Sequence, residues 1–122
     1  MKPERRGGSA RQRIAAVADL TEGATLKFQF QRQGRMVEAF LAKFQGRFVA
    51  YENVCQHLPV SLDYDDNRFF TKDGDHFICQ THGALYEPAT GRCVRGPCVG
   101  ERLRPLPIEE ADGSIWLRLG IP

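Results

Sequence analysis

Cys79-Gln80-Thr81-His82-Gly83-Ala84-Leu85-Tyr86 decides how the rest of this sequence is read. A thiol and an imidazole three positions apart, with glycine directly after, make a tight turn that aims two metal ligands the same way. A second pair, Cys55-Gln56-His57, stands upstream, and 21 residues separate His57 from Cys79. The order is therefore C-x-H, an interval, then C-x-x-H. Thiolate and neutral imidazole are ligands that suit zinc or an iron–sulfur cluster. The even split of Cys and His between two loops matches a [2Fe–2S] centre in which two Cys hold one iron and two His hold the other. A tetrahedral Cys₂His₂ zinc site would use the same four residues.

Working outward, Ala89-Thr90-Gly91 and Gly96-Pro97 follow the second pair. Taken in order, the two ligand pairs, the Thr-Gly turn and the Gly-Pro loop resemble the Rieske ferredoxin family from about Leu26 to Leu119. The resemblance implies an all-β Rieske fold, with antiparallel sheets forming a base and a small cluster-binding subdomain inserted in it. Its cluster-binding loops would fall at about 53–62, 79–88 and 95–99. It further implies a Rieske-type [2Fe–2S] cluster, with Cys55 and Cys79 on the inner iron and His57 and His82 on the exposed one. Tyr86 matches the family tyrosine whose hydroxyl bonds a ligand sulfur, and Pro97 falls in the loop that covers the cluster.

Two departures from the high-potential respiratory members stand out. Those carry a disulfide between the cluster loops, where this chain has Val60 and Thr81. They also place a serine two residues after the second histidine, where this chain has Ala84. Donors to the cluster sulfurs stabilise the reduced state, so a missing donor lowers the expected potential.

The rest of the chain agrees with a small β domain. Its 122 residues suit one domain, expected over 14–122 behind a flexible basic tail at 1–13. That tail holds five basic residues and one acid, leaving 12 basic and 14 acidic residues in 14–122. A body of net −2 is no nucleic-acid binder by charge. No apolar run reaches the roughly 18 residues of a membrane span. Arg5-Arg6 raises export, yet Ile14-Ala15-Ala16-Val17-Ala18 ends at Asp19, short of a signal's apolar region. The expected location is cytoplasmic.

Thr25-Leu26-Lys27-Phe28-Gln29-Phe30 alternates, placing Leu26, Phe28 and Phe30 on one face of a strand. Residues 36–44 and 47–52 read as two more strands of a meander, divided by Gln33-Gly34 and Gln45-Gly46. Lys72-Asp73-Gly74-Asp75 marks a hairpin between 69–71 and 76–78, which delivers Cys79. A short strand is expected at 92–94, and a last hairpin joins 103–108 to 114–119 across Asp112-Gly113. Asp63, Asp65 and Asp66 are expected to be solvated.

Three histidines, His57, His76 and His82, limit the chemistry. A hydroxylating oxygenase subunit needs two further His and a carboxylate for a mononuclear iron, and His76 alone is spare. His76 itself reads as a surface strand residue. An assembly module without cluster would have lost ligands, and all four are present. The expectation is thus not an enzyme but a monomeric electron carrier between a reductase and an oxygenase. A structural zinc or assembly module is the alternative. Cys93 and Cys98, spaced C-x₄-C, are expected to be free packing thiols in a reducing cytosol, with a disulfide over the third loop as the competing state.

Overall fold

Alternation of apolar and polar side chains over 25–30 produces an edge strand whose Leu26, Phe28 and Phe30 pack against one core. The computed structural model describes residues 10–55, 61–63 and 67–119. Among the described residues, nine strands run β1 (Arg11–Ala16), β2 (Thr25–Arg32), β3 (Arg35–Phe44), β4 (Arg47–Glu52), β5 (Phe77–Ile78), β6 (Leu85–Tyr86), β7 (Cys93–Arg95), β8 (Ile108–Ala111) and β9 (Ser114–Arg118). They form three antiparallel sheets ordered β1-β9-β8, β2-β3-β4 and β5-β6-β7. The expected all-β architecture is what the chain adopts.

The meander turns because Gln33-Gly34 and Gln45-Gly46 both hold positive φ, at 52° and 78° and at 51° and 77°. Left-handed geometry at both central residues matches the right-handed twist of the flanking strands. Asp112-Gly113 repeats this between β8 and β9.

Strand β3 explains how the base carries the tip. From Ala39 to Ala42 it is buried on both faces. Phe40 and Ala42 join a core with Tyr51, Phe69, Phe77, Tyr86 and Leu103, which also contains Cys55 and Cys79. Ala39 and Leu41, pointing the other way by the two-residue period of a strand, join a second core with Phe30, Ile115 and Leu117. The register pairs Phe40 with Tyr51 and Leu41 with Ala50, so β4 divides in the same manner. Phe40 stacks on Phe69 at 4.0 Å between centroids and meets Phe77 edge-on at 5.0 Å. Pairs of this kind add about 0.5–1.5 kcal/mol each beyond burial.

Two expectations need correction. Arg11 and Arg13 do not belong to a tail: they lie in β1, which pairs with β9, and the Arg11 guanidinium sits 4.1 Å over the Trp116 ring. Residues 1–9 of that expected tail lie outside the described residues. The last hairpin is also shorter than expected. Pro105 and Pro107 cannot donate to a ladder, so among the described residues 103–107 is tied by one isolated bridge, Tyr51 with Pro105, and pairing starts at Ile108. No described helix is long and apolar enough to cross a membrane.

Candidate metal centre

Strands β5 and β6 are the two arms of a hairpin whose turn is residues 79–84. Cys79 N donates to Ala84 O at 2.9 Å and Gly83 N to Cys79 O at 2.7 Å, which folds Cys79 and His82 onto one side. Cys55 arrives from the end of β4. Its approach is fixed by Asn53, whose Oδ1 accepts from Leu62 N at 2.8 Å and whose Nδ2 donates to Asp63 Oδ1 at 3.2 Å. Gln80 N donates to Leu62 O at 2.8 Å, clamping the exit of the first loop to the second.

Three of the four expected ligands therefore meet. Cys55 Sγ and Cys79 Sγ each lie 3.6 Å from His82 Nδ1, and the three donor atoms fall within 4.8 Å of one another. Both cysteines are buried and His82 is half-buried. Burial, and then the adjoining Cys55 thiol, push the Cys79 thiol up. Two thiolates side by side in a buried place repel, so this donor set suits a cation between them. The fourth expected ligand, His57, lies outside the described residues, as does Val60.

Tyr86, expected near a ligand sulfur, is fully buried, with its hydroxyl 3.7 Å from Cys55 Sγ and 3.2 Å from Cys98 Sγ. Pro97 is exposed; its neighbour Gly96 makes the close approach instead. At φ 103°, a Cβ on Gly96 would stand 3.0 Å from Ala84 Cα, so the third loop lies on the second only because glycine has none. Gly91 is a second such point, where a Cβ would come within 2.8 Å of Tyr51 Cε1. Tyr51 donates to Pro88 O at 2.7 Å, and burial raises its pKa to about 12. His76 is half-buried in its hairpin, apart from the three converging donors.

Asp63 corrects a third expectation. It is fully buried, not solvated, and besides Asn53 it takes Asn67 N at 2.8 Å and the Lys27 ammonium at 3.0 Å. Lys27 points to the tip side because it neighbours Phe40 in the β2–β3 register. Asp65 and Asp66 lie outside the described residues. Asn53 and Asp63 were the structural residues that pattern reading missed; an Asn two positions before a ligand Cys was the one available hint.

The model of the Rieske [2Fe-2S] domain matches residues 10–109 of this sequence. The chain belongs to the Rieske [2Fe–2S] domain family. Among relatives of the Rieske chain, the oxidoreductase NdmD of Pseudomonas putida is 33% identical over 84 residues, which is 63% of this chain and 13% of NdmD. The chain thus spans a small part of that relative's length. Among solved structures, the ferredoxin of carbazole 1,9a-dioxygenase from Nocardioides aromaticivorans superposes with a TM-score of 0.69 at 22% identity, over 90% of this chain and 98% of that one. A chain in the complex of reduced oxygenase and oxidized ferredoxin of carbazole 1,9a-dioxygenase gives 0.69 at 24%, over 90% and 93%. At these identities the likeness is one of Rieske fold.

Proposed function

We propose that this protein is a one-electron carrier which takes electrons from a reductase and hands them to an oxygenase. In it Cys55, Cys79, His57 and His82 hold a Rieske [2Fe–2S] cluster. The convergence of Cys55, Cys79 and His82 within 4.8 Å carries the proposal. The group, when bound, supplies one-electron chemistry at a potential of roughly −150 to +300 mV. Two thiolates and two neutral imidazoles leave its oxidised form uncharged, where four thiolates would leave it doubly negative; this is why histidine ligation favours accepting an electron.

The chain's own residues divide the work. Cys55 and Cys79 sit deep and screen their sulfurs from water, while half-buried His82 gives the electron its route to a partner. Tyr86 aims a donor at Cys55 Sγ, and Asn53 and Gln80 hold the two loops in register. The oxygenase assignment draws support from the similar chain found in complex with an oxygenase. We place the protein in the cytoplasm, as a monomer that is a component of an oxygenase system and not itself an enzyme.

Anaerobically purified protein should contain two irons and two labile sulfides per chain and take up one electron. One zinc and no labile sulfide would instead establish a structural metal site.

A further inference from the structure

Cys93 and Cys98 remain once the ligands are assigned. Their C-x₄-C spacing suggests no redox site, but the backbone brings them together. Cys93 N donates to Glu101 O at 2.8 Å, and Glu101 N to Cys98 O at 2.9 Å, so both ends of the interval are tied to one residue. The two sulfurs stand 2.8 Å apart, both thiols are free, and their side chains are buried at 3% and 4% exposure. A disulfide is about 2.05 Å long, so a movement of under ~1 Å closes the gap. Tyr86 Oη touches this pair at Cys98 Sγ, 3.2 Å away, and reaches the ligand Cys55 with the same atom.

We propose that Cys93 and Cys98 are a reversible dithiol–disulfide pair whose state reaches the Cys55 sulfur through the Tyr86 hydroxyl. The second half rests on Cys55 being a cluster ligand, as proposed above. A small-molecule disulfide such as oxidised glutathione is the oxidant. The Cys98 thiolate attacks one of its sulfurs and releases a reduced glutathione. Cys93 then attacks Cys98 Sγ, displacing the second. Two thiols lose two electrons and two protons, and the glutathione disulfide gains both. The first attack falls to Cys98, because Cys93 is hard to ionise. Burial, with help from Cys98, pushes the Cys93 thiol up to about 11.

The link to the centre follows from the hydrogens available. As a thiol, Cys98 has one hydrogen, which can turn from Cys93 Sγ to Tyr86 Oη while the phenol donates to Cys55. Hydrogen bonds in series polarise one another. A disulfide carries no hydrogen, so the phenol loses that reinforcement and stabilises the reduced centre less. The disulfide form should have the lower potential.

The test equilibrates the intact protein with its metal in glutathione buffers of graded potential, then alkylates and digests it. The expected result is one 93–98 linked peptide in oxidising buffers, reversed by dithiothreitol, with iron and sulfide content unchanged. No linked peptide at any buffer potential, or an unresolved glutathione adduct on Cys98, would overturn the pair. Voltammetry of the two forms should show the lower potential for the disulfide, and Tyr86→Phe should abolish the difference. Equal potentials in the unsubstituted protein would overturn the coupling. Because the peptide measurement reads no metal, absence of cluster counts against the proposed function and absence of the link against the pair.

Discussion

Tyr86 and Ala84 bear on the proposed centre one atom at a time. Tyr86 keeps a hydroxyl 3.7 Å from Cys55 Sγ, whereas Ala84 is fully buried and has no donor to offer. A donor facing a sulfur stabilises the more negative, reduced state. Tyr86→Phe should therefore lower the potential and Ala84→Ser should raise it. Each shift should be roughly 20–60 mV, given that 59 mV is a tenfold change for one electron. Voltammetry of the two variants checks both signs, and the unsubstituted protein should lie near the low end of the Rieske range. At this scale the sequence was informative where chemistry is rare: Cys79 and His82 announced themselves by residue type and spacing. It was uninformative at Cys98, whose sulfur meets Tyr86 and Cys93 through a loop closure that no local pattern encodes.

Among the elements, β2 does more than complete a sheet. Its Lys27 reaches across to Asp63 and helps seat the end of the first loop, with Asn53 and the Asn67 amide on the same carboxylate. Removing one partner of a buried charged network leaves others unsatisfied. Asp63→Ala should cost about 2–4 kcal/mol in a denaturant titration. Lys27, itself a third exposed, should cost less when replaced by Met, since its methylene stem can be kept. The strands of the meander were legible because Gln33-Gly34 and Gln45-Gly46 punctuate an alternating pattern. Strand β1 was not, since Arg11, Gln12 and Arg13 look like a charged tail until β9 supplies their partners. Nor was the burial of Asp63, which depends on a lysine 36 positions earlier.

For the molecule as a whole, the division of β3 between two cores separates stability from function. Among the described residues, the core that holds Phe30, Leu41, Ile115 and Leu117 contains none of the proposed ligands, while the other contains Cys55 and Cys79. Stripping the metal should loosen the second ligand loop and the third loop while β2, β3 and β4 stay protected in hydrogen exchange. Uniform loss of protection would show that one cooperative unit spans both. The central claim, that two thiolates and two imidazoles share a two-iron centre, is tested most directly by spin resonance of the chemically reduced protein. A rhombic signal with an average g below that of four-cysteine clusters, carrying nitrogen couplings from two histidines, is expected, and replacing either His57 or His82 should remove one coupling. A reduced protein that contains iron but shows no nitrogen coupling would contradict the account.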